Sequence, residues 1–131
     1  RNPVTISPSA LLEEAAIVMR NRRIEMLPVL DGDQLVGVIT ESDILDAFIE
    51  LNGAREKGTR LVIEADDRPG VMARLATITG DFQANITHIA VYRGNLERSL
   101  VILGVNTVNT EEMERRIAEE GFTLKYRLRN G

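Results

Sequence analysis

The sequence predicts an α+β protein built from two small modules, a βαββα unit followed by a βαββαβ unit. Apolar residues recur at spacings of three and four in some segments, and they alternate or run together in the short segments between them. A charged stretch bracketed by two glycines, Asn52 to Thr59, interrupts this pattern. The chain of 131 residues, 44% hydrophobic and 27% charged, is typical of one ordinary or two small globular domains.

The first module is predicted to run strand, helix, strand, strand, helix. Ser7-Pro8-Ser9 followed by Glu13 and Glu14 is typical of a helix start, because capping hydroxyls and first-turn acids favour a helix N-terminus. Asp31-Gly32-Asp33 predicts a hairpin turn. The predicted elements are a strand at 4–6, a helix ending near 21, a buried strand at 26–30, a strand at 35–39 and a helix at 42–51.

The second module is predicted to fold as a split ferredoxin-like βαββαβ unit, a topology that hosts many functions. Asn109 with Glu112 predicts the cap of its last helix, and Gly121 predicts the end of that helix. The predicted strands are 60–65, 85–92, 98–105 and 123–128, with a turn at 93–95, and the predicted helices, both on one face of the sheet, are 71–79 and 111–120.

Composition and charge argue against several classes of function. The net charge is -4 and the basic residues are scattered, so nucleic acid is not an expected partner. The chain has no cysteine, which fits a cytoplasmic location, and no apolar run near the roughly 20 residues of a membrane span. Because it starts at Arg1, upstream sequence is expected to be missing. Five aromatic residues leave two small aliphatic cores, so oligomerisation is expected.

The junction from Asp67 to Met72 carries the strongest functional signal. Pro69 and Gly70 end the preceding strand, and Gly70 has no Cβ to block an approaching group. The first turn of the next helix leaves N–H groups unpaired, which suits a small ligand. A turn that needs proline and glycine for its geometry alone is equally consistent with this loop.

A second junction, 37–43, leads from a strand to a helix N-terminus that carries two hydroxyls and a carboxylate. Thr40 and Ser42 can donate to phosphate oxygens, and Asp43 can accept both hydroxyls of a ribose. The Thr40-x-x-Asp43 spacing is also a capping-box variant that needs no ligand. On spacing alone, the cap is the favoured interpretation.

Four stretches of the first module together resemble a cystathionine-β-synthase (CBS) motif, namely 6–8, 14–16, 26–31 and 37–44. The resemblance implies that motifs work in pairs around a cleft for AMP, ATP or S-adenosylmethionine. It also implies that Asp43 binds ribose and Thr40 phosphate, with the backbone around Thr5, Ile6 and Met26 to Pro28 enclosing the adenine. One motif is present, so its partner is expected from an upstream segment or a second chain.

Asp66 to Met72, together with Asn85-Ile86, resembles an ACT domain, the amino-acid-sensing module of metabolic enzymes and regulators, over Arg60 to about Leu128. The resemblance implies that the effector lies between the junction loop of one copy and the second strand of another. Gln83-Ala84 precede Asn85 where a glycine is common. The matching effector positions are Asp67, Pro69, Gly70, Val71 and Met72 in the loop and Asn85 on the strand.

No enzymatic activity is expected. His88 is the only histidine, and alternation along its strand indicates a sheet-face or interface residue. With no cysteine and no second histidine, no metal site is predicted. Asp66 and Asp67 have no positioned nucleophile or base beside them.

The order of the two modules resembles the acetoin-utilisation-type CBS–ACT proteins, whose usual plan has two CBS motifs before the ACT domain. The predicted domains are a CBS motif at 1–52, the second of a pair, a linker at 53–59 and an ACT domain at 60–131. The expected function is non-catalytic sensing of a nucleotide and an amino acid by a homodimer or higher homo-oligomer, with no required cofactor. Two alternatives stay open: a regulatory fragment of a larger metabolic enzyme or transporter, and a dimerisation scaffold with empty pockets.

Overall fold

A computed structural model describes residues 4–94 and 98–131 of the chain. Contacts divide the chain into two compact units, Arg1–Glu50 and Leu51–Gly131. The chain begins with α1 (Leu12–Arg22), β1 (Met26–Asp31), β2 (Gln34–Thr40) and α2 (Glu41–Leu51). It continues with β3 (Gly58–Asp66), α3 (Val71–Asp81), β4 (Ile86–Tyr92), β5 (Arg98–Val105), α4 (Glu111–Glu119) and β6 (Thr123–Asn130).

The first unit is built around the antiparallel β1–β2 hairpin, which turns at Gly32 as predicted. The predicted strand at 4–6 is reduced to one parallel bridge between Ile6 and Val29. The N–H of Ile6 donates to the carbonyl of Pro28 at 3.0 Å, and its carbonyl accepts from the N–H of Leu30 at 2.9 Å. Pro8 has no N–H and so favours an early end to the pairing.

The predicted start of α1 is wrong by several residues. The helix begins at Leu12, and Leu11 occupies the N-cap position without a side-chain cap. The Ser7 and Ser9 hydroxyls instead bond each other at 2.9 Å, and the N–H of Ser9 donates to the Ser7 hydroxyl at 3.2 Å. Serine side chains can satisfy a local turn as well as a helix end, and here they do the former.

The first unit has a small buried core. Ala15, Met19 and Leu27 are the hydrophobic residues fully buried in its described part. Met26, predicted in a buried strand, is 59% exposed, because successive strand residues face opposite ways and Leu27 takes the inward position. No residue of α2 is buried, and Leu45 is 63% exposed. So few buried side chains give a unit of this size little stability of its own.

The second unit has the predicted ferredoxin-like arrangement. Its four strands lie in the order β4-β5-β3-β6, with antiparallel pairing between all neighbours, so β4 and β6 are the edges. Side chains from α3 and α4 pack on one face of this sheet and form its core. The fully buried core residues include Leu61, Ile63, Leu75, Ile78, Leu103, Met113 and Ile117.

The start of α4 differs from the prediction. Thr110 rather than Asn109 occupies the N-cap, and it makes no side-chain bond to the helix backbone. Its hydroxyl instead donates to the carboxylate of Glu114, which also accepts from the guanidinium of Arg127 at 2.9 and 3.0 Å. Burial raises the pKa of Glu114, but the bonds from Arg127 and Thr110 outweigh it and hold the pKa below its usual range. Gly121, with φ 95°, follows the helix end as predicted.

The other face of the sheet contacts the segment that follows α2. Register pairs Ile89 with Leu103 on the core face, which places His88 and Tyr92 on the opposite face, as the alternation predicted. The Tyr92 hydroxyl donates to the side-chain oxygen of Asn52 at 3.2 Å. The imidazole of His88 lies so close to Gly53 that a Cβ there would be 2.4 Å from Nδ1. Within the second unit, residues 52–53 are therefore seated on the sheet.

In the ranges that the structure describes, no helix has the length and apolar character needed to cross a membrane. Of the turn predicted at 93–95, Asn95 lies outside the described residues.

Candidate functional site

The residues predicted to bind an adenosine ligand lie along one end of the β1–β2 hairpin. Met26 is the register partner of Thr40, at the point where β2 passes into α2. Pro28 lies two residues further along β1, where its carbonyl accepts from Ile6. The hairpin therefore brings the two groups of predicted residues into one strip. The strip consists of Thr5, Ile6, Met26, Pro28, Thr40, Ser42 and Asp43.

Thr40 and Asp43 cap the N-terminus of α2 reciprocally. Asp43 Oδ2 accepts from the N–H of Thr40 at 2.7 Å and from its hydroxyl at 3.0 Å. The N–H of Asp43 in turn donates to the Thr40 hydroxyl at 3.3 Å. This is the capping arrangement that the spacing predicted. Both bonds to the carboxylate use Oδ2, so the cap leaves Oδ1 to accept from a further donor.

The backbone at the other end of the strip is already engaged in pairing. Both polar backbone groups of Ile6 are bonded, to Pro28 and to Leu30. The Pro28 carbonyl is the acceptor of one of these bonds, and proline has no N–H to offer. Ile6 and Pro28 can therefore contact an adenine through apolar surface more readily than through new backbone hydrogen bonds.

The strip does not line a cavity that the described residues form in the first unit. That cavity, of about 460 Å³, lies between the C-terminal end of α1 and the start of α2, and its wall contains none of the seven predicted residues. A second cavity, of about 330 Å³, contains only Ile6 of the seven. Of the predicted nucleotide residues, Met26, Ser42 and Asp43 are exposed, and the other four are partly buried.

In the second unit, the predicted effector loop connects β3 to α3. Gly70 is the N-cap residue of α3, with φ 90°, a conformation that side chains with a Cβ rarely adopt. A Cβ at this position would meet no atom within 4 Å, so the backbone and not packing requires the glycine. Val71 is 5% exposed and its N–H donates to the carbonyl of Arg68 at 3.4 Å, whereas Met72 packs against the core and is only partly buried. Asp67 and Pro69 are exposed.

Asp67 is paired with an arginine that the sequence had suggested only as a turn residue. Arg93, directly after β4, donates from Nε to Asp67 Oδ2 at 2.6 Å and from a terminal nitrogen to Oδ1 at 3.3 Å. These hydrogen bonds lower the pKa of Asp67 and raise that of Arg93, so both remain charged at neutral pH. In the βαββαβ order, β3 and β4 run parallel, so topology could have predicted that their ends lie on the same side.

Within one copy of the protein, Asn85 and Asp67 lie at opposite ends of the sheet. It precedes β4, whose first residue, Ile86, is level with Val105 of β5 and so with Thr59 of β3. Asp67 follows the other end of β3. At about 3.3 Å per strand residue, the nine residues of β3 separate the two by roughly 26 Å. One chain therefore brings together Asp67, Pro69, Gly70, Val71 and Met72, but not Asn85.

The turn before Asn85 keeps a left-handed backbone without glycine. Gln83 has φ 57°, and its N–H donates to the carbonyl of Gly80 at 3.0 Å. Asn85 is then fixed by Asn106, which accepts the Asn85 N–H through Oδ1 and donates its own N–H to the Asn85 carbonyl. The departure from glycine therefore leaves the turn formed and adds local strain.

Comparison with known families assigns both units. The CBS domain family matches residues 1–50, and the ACT domain family matches residues 59–122. The chain therefore carries a CBS domain followed by an ACT domain, as the sequence predicted. Both are regulatory, non-catalytic domains that typically sense ligands.

The relatives match the CBS part of the chain. A CBS domain-containing protein of Dictyostelium discoideum is 44% identical over 52 residues, which is 39% of this chain and 36% of that protein. A probable manganese-dependent inorganic pyrophosphatase of Thermotoga maritima is 31% identical over 49 residues, 37% of this chain. An inosine-5'-monophosphate dehydrogenase of Korarchaeum cryptofilum is 43% identical over 44 residues, 34% of this chain. The matches cover 9% of each of these two enzymes.

Proposed function

We propose that this chain is a non-catalytic regulator that binds an adenosine-containing nucleotide at the CBS domain and an amino acid at the ACT domain, as a homodimer or higher homo-oligomer in the cytoplasm. The observation that carries the proposal is the tandem of two sensing domains, each with predicted ligand residues at a strand-to-helix junction. AMP, ATP and S-adenosylmethionine are the candidate nucleotides.

The nucleotide half is supported by the free acceptor atom of the α2 cap. A ribose hydroxyl bonds Asp43 Oδ1 while Oδ2 keeps the cap, so binding requires no local unfolding. Phosphate oxygens then accept from the Thr40 and Ser42 hydroxyls near the helix N-terminus. The exposed residues of this strip and the small core of the unit both favour a cleft completed by a second CBS domain.

The amino-acid half is supported by the position of the free strand edge. Strand β4 has one hydrogen-bonded neighbour in the sheet, so its outer edge can pair with β4 of a second copy. In a two-fold antiparallel pairing, the start of one β4 lies beside the end of the other. Asn85 of one chain then meets the Asp67 loop of the other, so their separation of roughly 26 Å within one chain does not prevent a shared site.

The order of the domains favours the acetoin-utilisation type, in which an upstream CBS motif completes the pair. The main alternative is the regulatory part of a larger enzyme. The similarity to an inorganic pyrophosphatase and a dehydrogenase over a small part of each supports that alternative. The full reading frame separates the two, because an upstream catalytic segment would favour the enzyme fragment.

Calorimetric titration of the chain with AMP, ATP and S-adenosylmethionine tests the nucleotide half. We expect Asp43→Ala to weaken the affinity for the nucleotide that binds, and Asp46→Ala, a matched loss of an exposed acid in the same helix, to leave it unchanged. Equal affinity of the parent and Asp43→Ala chains would reject the ribose role. If titration with each of the three compounds produces no heat of binding, the dimerisation scaffold with an empty pocket remains as the interpretation of this domain.

Mixing two defective variants tests the shared amino-acid site. We expect Asn85→Ala and Asp67→Ala each to abolish binding of the responding amino acid. In a mixed dimer, one site combines the intact loop of the first variant with the intact Asn85 of the second. Unfolding and refolding the two together should therefore restore one site per mixed dimer. Failure to restore any binding, with mixed dimers demonstrated by mass spectrometry, would contradict a site shared between copies.

A further inference from the structure

The ion pair of Asp67 with Arg93 lies at the end of the sheet where the proposed effector loop begins. Its two hydrogen bonds use both carboxylate oxygens and two guanidinium nitrogens. The Arg93 side chain is 63% exposed and that of Asp67 is 42% exposed. Solvent-exposed ion pairs contribute little to folding, so this pair can open at small cost to the fold.

The neighbouring arginines are bound differently. Arg98 is held by the Glu64 carboxylate at 3.1 Å, by the Glu64 carbonyl at 3.4 Å and by Asp66 at 3.3 Å. It therefore fixes the ends of β3 and β5 together. Within residues 4–94 and 98–131, the acid that Arg68 approaches is Asp66, at 3.8 Å. Arg93 is the arginine whose two-point contact with a loop carboxylate could be transferred to another carboxylate without releasing the strands.

The pair selects for a ligand that carries both charges. A simple anion next to Arg93 would be repelled by Asp67, and a simple cation next to Asp67 would be repelled by Arg93. A free α-amino acid carries an ammonium and a carboxylate a few bonds apart. It can replace each half of the pair with the matching group, so that both protein charges stay neutralised.

We propose that Arg93 binds the carboxylate of the amino-acid effector and that Asp67 binds its ammonium, the two protein groups separating to admit the ligand. The assignment rests on the proposed function of the ACT domain and adds Arg93 to its site. Arg93 follows the last residue of edge strand β4, the end that would lie beside the partner copy's Asn85 in the proposed dimer. The three groups would then surround one ligand.

The test titrates the chain with each proteinogenic L-amino acid singly, and then with the carboxamide of the one that binds. We expect Arg93→Gln to raise the Kd for the free amino acid roughly tenfold to hundredfold, as for the loss of a charge-assisted two-point bond. Arg68→Gln removes the same charge from the loop that carries Asp67 and should change Kd less than about twofold. The parent chain should bind the carboxamide more weakly than the free amino acid. The Arg93→Gln variant should bind the carboxamide and the free amino acid with about equal affinity.

The outcomes separate the inference from the function on which it rests. If an amino acid binds the parent and Arg93→Gln with equal affinity, the ACT domain is a sensor and Arg93 is not its carboxylate residue. A preference for the acid over the carboxamide that survives in Arg93→Gln also overturns the assignment. If no amino acid binds the parent, the amino-acid half of the proposed function fails, and the assignment fails with it.

Discussion

Replacing Gly53 by alanine should destabilise the second unit through two separable effects. The first is backbone strain, because Gly53 has φ 67°, a left-handed conformation that costs other residues about 1–2 kcal/mol. The second is a collision, because the new Cβ would lie 2.4, 2.7 and 2.9 Å from three atoms of the His88 imidazole. Overpacking of this kind typically costs about 1–3 kcal/mol. We expect a total loss of about 2–5 kcal/mol.

A double-mutant cycle isolates the collision. His88→Ala removes the ring that the Cβ meets, so in that background Gly53→Ala should cost only the strain. The expected coupling is about 1–3 kcal/mol, with the double variant more stable than the sum of the single losses predicts. Gly121→Ala is the control in the same unit, since Gly121 has φ 95° and a Cβ there would meet nothing within 4 Å.

Tyrosine fluorescence during urea denaturation measures this effect in the right unit. The chain has two tyrosines and no tryptophan, and both tyrosines, Tyr92 and Tyr126, lie on strands of the second unit. Their signal therefore follows the unfolding of the sheet without a contribution from the first unit. Additive losses, within about 0.5 kcal/mol, would show that His88 does not rest on Gly53 and would refute the seating of this segment on the sheet.

Three further predictions concern stability. The pKa of Glu114 is lowered in the folded state, so its contribution is present above the ordinary value of 4.5 and is lost as pH falls through the folded pKa. Glu114→Gln should therefore lower the free energy of unfolding at pH 7 and make it decline less steeply as pH falls. If tyrosine fluorescence shows the same dependence of stability on pH in both proteins, the bonds of Glu114 with Arg127 and Thr110 do not stabilise the fold. Gln83→Gly should raise the free energy of unfolding by about 0.5–1 kcal/mol, because glycine accepts φ 57° without strain; a loss of stability would show that the side chain matters more than the backbone. Asp43→Ala should cost the first unit about 1 kcal/mol, as for other lost caps, and circular dichroism should show no such loss for Asp46→Ala.

Most elements of the second unit could be predicted because their side chains alternate or recur with a single buried face. Strand β5 has its predicted bounds. Strand β3 is two residues longer than predicted at its start and one residue longer at its end, and β6 is two residues longer at its end. The errors fall where local hydrogen bonds compete. Thr110 rather than Asn109 precedes α4, and its hydroxyl bonds a carboxylate one turn ahead. Periodicity carries no information about such a choice, because either residue can cap a helix.

The first unit was harder to predict because so little of it is buried. A strand at 4–6 was expected from composition, yet one bridge at Ile6 forms. Met26 belongs to the predicted strand but faces outward. Some apolar residues are buried within their own unit, and others are covered only when another surface packs on the unit. Both kinds give the same pattern in the sequence. Sequence pattern alone cannot distinguish the two.

In the candidate sites, contacts between residues close in sequence could be predicted, and contacts that depend on the arrangement of strands could not. Thr40 and Asp43 are three residues apart, so their spacing predicted the reciprocal bonds that the structure contains. The contact of Asp67 with Arg93 joins residues 26 positions apart and depends on two strands ending at the same side of a sheet. The separation of Asn85 from Asp67 likewise follows from strand direction, which spacing along the chain does not reveal.

The two proposed sites should differ in how strongly they can switch the protein. At the start of α2, a ribose would add to a carboxylate oxygen that the cap does not use, so the local structure with and without nucleotide can remain the same. At the proposed amino-acid site, the ligand would have to separate Asp67 from Arg93 before either could bind it. A ligand shifts an equilibrium only by its difference in affinity between two arrangements. The proposed amino-acid site would therefore have two local arrangements, with Asp67 and Arg93 paired to each other or to the ligand. The proposed nucleotide site would acquire such a difference only through a second CBS domain that completes its cleft.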